Sequence, residues 1–269
     1  MFAANTSHEH EIYLRAQKKK KTTVTLLRWG LLGVLLGLWE LLAALGVIDT
    51  FIMSCPSRIG ATLVDLTKSG ELFVHIAYTL YETVAGFLIA TLLGTLIASA
   101  LWWFETARKV LEPYVIVLNG LPKIALGPIL IVWAGAGTGA IIAMTVLICI
   151  IITVIDMLAG FTAVDREKSL LMRTLHANRF QTFIKLVLPA NVGTLVSVLK
   201  VNVGLSWVGS IMGEYLVSRA GLGYLIVYGG QVFKLDLVMA STVVLCALAG
   251  LMYCVVALIE KRVKRHYPT

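Results

Sequence analysis

From Thr83 to Phe104 no residue is charged, and from Ala140 to Phe161 the one charged residue is Asp156. Such runs fix the solvent before they fix the fold. About 20 consecutive apolar residues, wound as a helix, cross about 30 Å of hydrocarbon, and several runs here reach that length. Composition agrees: 58% of the 269 residues are hydrophobic and 14% are charged, against about 25% charged in soluble domains. The net charge of +8 does not point to nucleic acid, because the basic residues sit in short loops beside the apolar runs. The expectation is an all-α, polytopic membrane protein with six transmembrane helices.

In chain order, residues 1–25 read as a basic polar tail, which includes Lys18 to Lys21. This start is not expected to be a cleavable signal, because the apolar stretch after it is too long for one and shows no clear small-residue cleavage site. Six spans follow, starting near Leu26, Phe73, Leu111, Ala140, Pro189 and Leu237. The transmembrane region is bounded at 26–262, with a tail over 263–269. Gly33 and Gly37 form a GxxxG in the first span. Gly86, Ala90, Gly94 and Ala98 make a seam of small residues in the second, where another helix can approach closely. The third is interrupted by Gly120, Pro122, Gly127 and Pro128, and broken backbone at membrane depth must be buried in protein or line a cavity. Residues 218–235 read as a Gly-rich outer loop.

Between the fourth and fifth spans lies a basic interval, Asp165 to Pro189. Asp165 is expected to cap a helix running to Leu175, and His176-Ala177-Asn178 to break it. Asn178 with Gln181 makes a capping box for a second helix, expected to end at Pro189. Lys and Arg number 17 on the side carrying this interval and both termini, and 4 on the other. Basic residues favour the cytoplasmic side, so both termini and the helix-turn-helix are expected there.

Catalytic motifs in their proper setting are lacking. No GxxxxGK[ST] or HExxH occurs, and Cys55, Cys149, Cys246 and Cys254 have no CxxC spacing. His8-Glu9-His10 reads as an incidental tail pair, and Asn5-Thr6-Ser7 as a formal glycosylation acceptor on the inner side. Gly135 to Gly139 lacks the strand-turn-helix setting of a phosphate loop. Ser197-Val198-Leu199-Lys200 matches a serine acylase motif without its partner motifs. No catalytic or metal site is expected.

Polar residues within spans are the better clues, since charge in hydrocarbon is costly. Lys123, Asn202, Ser206, Trp207, Ser210 and Glu214 are the candidate lining of a solute pathway. Lys123 either attracts an anionic solute or pairs with a carboxylate. The fifth-span residues either line a pore or pack against another helix. Glu40 and Glu82 read as structural partners or near-surface groups.

The chain resembles the inner-membrane permease subunits of ATP-binding-cassette (ABC) importers, nearest to the nitrate/sulfonate/taurine branch. The resemblance covers about residues 35 to 265. It is carried by Leu38-Trp39-Glu40, Pro56-Ser57, Thr79-Leu80 and Ala85-Gly86-Phe87. It continues through Leu121 to Leu126 with Pro128, Trp133 and Gly135, then Leu188-Pro189-Ala190, Glu214 and Gly221 to Ile226. In the family's cytoplasmic signature, Leu170-Leu171-Met172 takes the Glu-Ala-Ala place, His176 the glycine, and Leu188-Pro189 the end. Glu82 stands where relatives often carry a basic or neutral residue.

The resemblance implies a type I importer (MetI-like) permease fold. It also implies that Leu170, Leu171, Met172, Arg173, Leu175, His176 and Ala177 form a coupling helix docking on the ATPase, by a contact more apolar than usual. It implies a homodimer with two cytoplasmic ABC ATPases below, an extracytoplasmic solute-binding protein outside, and membrane lipid around. No cofactor is expected on this chain, because ATP and Mg would belong to the ATPase. The solute is expected to be a small anion (sulfonate, taurine or nitrate-like), with a thiamine-type pyrimidine or riboflavin as the alternative. A self-contained channel or secondary carrier is the competing class. It would need no ordered cytoplasmic helix pair and would often show repeated halves.

Overall fold

The computed structural model of this protein describes residues 8–266. Asn5 and residues 267–269 lie outside the described residues, as do the side chains of His8-Glu9-His10. The chain divides into two compact units, Met1–Thr62 and Leu63–Thr269.

The first unit holds α1 (His8–Ala44), α2 (Thr50–Met53) and the start of α3 (Pro56–Lys68). The helix begins well before Leu26, because Lys18 to Lys21 are good helix formers and nothing between them and the apolar run breaks it. Its apolar part, Thr22–Ala44, is long enough to span. Asp49 caps α2, its Oδ1 accepting from Phe51 N at 2.8 Å. Ser57 donates to the Glu40 carboxylate through its N–H at 3.0 Å and its hydroxyl at 2.7 Å. Two stretches that carry the sequence resemblance therefore meet.

The second unit continues with α4 (Glu71–Trp103), α5 (Glu105–Gly120), a 3₁₀ turn (Lys123–Leu126), α6 (Gly127–Ala134) and α7 (Thr138–Thr162). Then come α8 (Arg166–Thr174), α9 (Arg179–Thr182), a π segment (Phe183–Val187) and α10 (Leu188–Ala190). The last helices are α11 (Val192–Val217), α12 (Leu222–Gln231) and α13 (Leu235–His266). Among the described residues five helices are long and apolar enough to span, and six spans result if the pair on either side of Pro122, bent by 91°, counts as one. The bend falls where Pro122 removes a backbone donor.

Helix α7 is the centre of this unit, held by glycine contacts on both sides. A Cβ at Gly86 on α4 would stand 2.5 Å from Thr145 Cγ2, and one at Gly209 on α11 would stand 2.6 Å from Thr145 Cα. Gly94 meets Thr153 in the same way, at 2.6 Å, and Gly213 meets Ile141 Cα at 3.0 Å. Lipid is as apolar as leucine, so helices in it associate through close packing and hydrogen bonds, which small residues allow. The expected seam on α4 is buried along its length.

The loop expected over 218–235 contains α12. Gly221 and Gly223 read as breakers in sequence, but they let the start of α12 lie against the Glu214 side chain. The second helix of the basic interval does not end at Pro189. That proline sits in the first turn of α10, where its missing N–H is harmless, and the break comes at Asn191.

Candidate functional site

The interval between α7 and α11 is a built helix-turn-helix. Asp165 caps α8, its Oδ1 accepting from Glu167 N at 2.9 Å. At the other end His176 N donates to Arg173 O and Ala177 N donates to Met172 O, both at 2.9 Å. These are the paired bonds of a Schellman stop, which needs a left-handed residue at its centre. His176 is that residue, with φ at 55°. The capping box of α9 is complete: Gln181 N donates to Asn178 Oδ1 at 2.8 Å, and Asn178 N to Gln181 Oε1 at 2.9 Å.

Three links fasten this element to the spans. Arg179 Nη1 donates to the Trp103 carbonyl at 2.9 Å. The Phe183 ring lies 4.9 Å from Trp102 and 5.6 Å from Phe161, centroid to centroid. Asn191 packs on Gly160 and donates from Nδ2 to Val187 O at 2.9 Å. Under the helix pair lies a cavity of about 340 Å³, lined by Trp102, Arg108, Phe161, Ser169, Arg173 and Arg179 among others. The outer face of α8 is left bare: Leu171 is 59% exposed and Leu175 67%. Leu170, Arg173 and His176 are exposed as well, while Met172 and Ala177 are half-buried.

The candidate pathway residues fall into four places. Asn202 and Ser210 are fully buried where α11 meets α4 and α7. Asn202 Nδ2 donates to Thr91 Oγ1 at 2.9 Å and to Thr153 Oγ1 at 2.8 Å, and the Ser210 and Thr83 hydroxyls are 2.6 Å apart. Ser206 is buried too, its hydroxyl donating back to Val203 O at 2.9 Å. Trp207 packs in an apolar cluster with Phe87, Val203 and Val256. Glu214 sits under α12, its Oε2 accepting from Gly223 N at 2.6 Å. Lys123 stands apart, at the break between α5 and the 3₁₀ turn. Its Nζ donates to Asn119 O at 3.0 Å and lies 3.3 Å from Asn119 Oδ1. The ammonium thus covers the carbonyl end of α5, where a cation is favoured. Lys200 reaches the other way and pairs with Glu260 on α13.

Sequence reasoning missed Arg179 as an anchor and Glu82 as a fully buried group. A one-residue signal existed for Glu82, an acid amid an apolar run, but its partner Glu214 is far away in sequence.

Residues 90–265 match the family described as the inner membrane component of binding-protein-dependent transport systems. The chain belongs to this family. The permease is 27% identical over 229 residues to a putative aliphatic sulfonates transport permease of Bacillus subtilis, covering 85% of this chain and 83% of that one. It is 23% identical to the taurine transport system permease of Escherichia coli, over 95% of this chain and 94% of that one. A formylaminopyrimidine transport permease of Halalkalibacterium halodurans is 27% identical over 71% of this chain and 76% of its own.

Among solved structures, the permease resembles a chain of a bacterial ABC transporter involved in alginate import. The TM-score is 0.64 at 15% identity, covering 92% of this chain and 99% of the other. It also resembles a chain of the inward-facing MetNI methionine transporter, with a TM-score of 0.61 at 17% identity over 70% and 96% of the two chains. The fold is therefore that of an ABC importer permease, and the permease is an inner-membrane transport component.

Proposed function

We propose that this permease forms half of a homodimeric pathway for a small anionic solute of the sulfonate or taurine kind. Two cytoplasmic ABC ATPases, which carry the ATP and Mg, drive it, and a soluble binding protein delivers the solute. The observation that carries this reading is the bare apolar face of α8. Leu170, Leu171 and Leu175 are exposed on a capped helix outside the spans. A chain that worked alone would have no use for an ordered, apolar, unpaired surface at that place. In the family frame this face is the coupling helix, and its docking on the ATPase passes closure of the ATPase pair through Arg179, Phe183 and Asn191 to α4 and α7. The Lys and Arg distribution supports placing α8, α9 and both termini in the cytoplasm.

Lys123, Asn202, Ser206, Trp207, Ser210 and Glu214 remain the proposed determinants of the pathway. Lys123 would meet solute directly. The buried α11 residues would act by holding the walls together. The sulfonate and taurine names of two relatives support an anion. The formylaminopyrimidine relative favours a second reading, the same machinery carrying a heterocyclic vitamin precursor.

Reconstitution tests the proposal. The permease in vesicles with a candidate ABC ATPase and a soluble binding protein for sulfonates or taurine should take up labelled taurine or an alkanesulfonate only with ATP. Uptake without ATP, or ATP hydrolysis without the ATPase subunit, would refute the coupling. ATP-driven uptake of a pyrimidine instead would retire the anion.

A further inference from the structure

At the far end of the second unit from α8, two carboxyl groups are buried side by side. Glu82 on α4 is 1% exposed and Glu214 on α11 is 2% exposed. The groups that meet them are neutral. Glu214 Oε2 accepts from Gly223 N at 2.6 Å and Tyr224 N at 3.3 Å, and the Thr79 hydroxyl adjoins it. Glu82 has the Thr138 hydroxyl beside it. Glu82 Oε2 and Glu214 Oε1 are left buried with no donor, yet the two carboxyls are within hydrogen-bonding reach of each other.

Two ionised carboxylates do not sit stably in this arrangement. Each buried charge without a cation costs several kcal/mol. Two unit charges about 4 Å apart repel by roughly 4 kcal/mol even at an effective dielectric constant of about 20, and like charges so placed would add to that cost. One hydrogen removes both difficulties. It gives each orphan oxygen a partner and leaves a single negative charge.

We propose that Glu82 and Glu214 form a proton-binding site joining α4, α11 and the start of α12, with Glu82 holding the proton and donating it to Glu214. The remaining charge belongs on Glu214, whose Oε2 already accepts two backbone N–H groups in the first turn of α12. Helix N-termini favour negative charge there. The site is closely built around that carboxylate: a Cβ at Gly223 would stand 2.8 Å from Oε2, and one at Gly221 would overlap it.

The other titratable groups nearby are His75 and Glu71 on α4, Tyr215 on α11 and Tyr224 on α12. His75 Nδ1 accepts from Gly221 N at 2.9 Å, so that nitrogen carries no proton. Separating α4 from α11 therefore parts the proton donor from its acceptor, and the shared proton holds these two helices together beneath the start of α12.

Infrared spectroscopy of the purified full-length permease at neutral pH tests this without any partner. Wild type should show a carboxylic C=O band that moves in D₂O, shifts with ¹³C-glutamate labelling and is lost in Glu82→Gln. Glu82→Gln should unfold at the wild-type temperature, because its amide donates where the carboxyl did. No such band, or a band unmoved by glutamate labelling and so due to an aspartate, overturns the proposal even if the variant fails to fold. A large rise in unfolding temperature in Glu82→Gln also overturns it, since that would mean two repelling charges in wild type. Stabilisation of wild type, but not Glu82→Gln, on exchanging choline chloride for NaCl would assign the site to an alkali cation instead.

Discussion

Arg179 Nη1 donates to the Trp103 carbonyl at 2.9 Å, tying the start of α9 to the last residue of α4. One guanidinium thus closes a loop between the α8–α9 helix pair and the span that carries the small-residue seam. A hydrogen bond from a charged donor contributes about 1.5–3 kcal/mol when sheltered. Arg179 is exposed, so a value nearer 1 kcal/mol is expected for this bond. Arg179→Ala should leave the ATPase bound, because the apolar face of α8 is untouched, and should lower uptake per ATP hydrolysed several-fold. Parallel measurement of uptake and hydrolysis in vesicles checks it. An unchanged ratio would show that force does not pass through Arg179.

His176 holds a left-handed conformation, with φ at 55°, where a non-glycine residue costs roughly 1–2 kcal/mol. The Schellman bonds around it require that conformation. His176→Gly should therefore be neutral or raise stability by up to about 1 kcal/mol, after allowing for the greater freedom of glycine in the unfolded chain. His176→Val should destabilise the α8 stop by more than that. Limited proteolysis between α8 and α9 reads the difference. If valine protects the turn as well as glycine does, the left-handed constraint does not act.

The bare α8 face, proposed above to dock on the ATPase, makes a separate prediction. Leu171→Asp places a charge on the bare apolar side of α8 without touching its caps, so the spans should assemble normally. Co-purification of the ATPase should fall at least tenfold, and unfolding of the permease alone should be unchanged. Retention of a fully active complex would remove Leu171 from the interface.

Local chemistry was legible in the sequence and distant pairing was not. The caps at Asp165 and Asn178 and the stop at His176 could be read because each bond spans only a few residues. The seam from Gly86 to Ala98 could be read because its period is that of a helix. Its partners Thr145 and Thr153 could not, since nothing in α4 says which helix lies against it. The same blindness hid α12. Gly221 and Gly223 have the composition of a loop, but they are there because the Glu214 carboxylate fills the space a side chain would need. For Asn202 the sequence left pore and packing open. The missing fact was the position of the Thr91 and Thr153 hydroxyls.

Two glycines on α11 separate propensity from packing. Gly209→Ala brings a methyl to 2.6 Å from the Thr145 backbone, whereas a methyl at Gly204 would meet no atom within 4 Å. Overpacking that only backbone movement can relieve costs about 1–3 kcal/mol. Gly204→Ala should be neutral or slightly stabilising, because alanine is the better helix former. Thermal unfolding in detergent should therefore drop for Gly209→Ala and hold for Gly204→Ala. Equal behaviour of the two would mean that α7 and α11 are not packed as described.

Lys123 distinguishes a cap from a solute contact. Its ammonium covers Asn119 O at the end of α5, so Lys123→Met should lose the capping contribution, about 0.3–1 kcal/mol for a cation at a helix C-terminus. If capping is all it does, Lys123→Arg, which keeps the charge, should restore stability and uptake together. A solute-facing lysine behaves differently. Lys123→Met would cut uptake of an anionic solute severalfold while unfolding shifts by no more than the cap. The loss would grow as salt is lowered, because Coulombic attraction between exposed charges is screened beyond about 10 Å at 0.1 M salt and reaches further in dilute salt. Uptake by Lys123→Met and Lys123→Arg across a salt series, beside their unfolding temperatures, separates the two. Wild-type uptake by Lys123→Met at every salt concentration would take Lys123 out of the pathway.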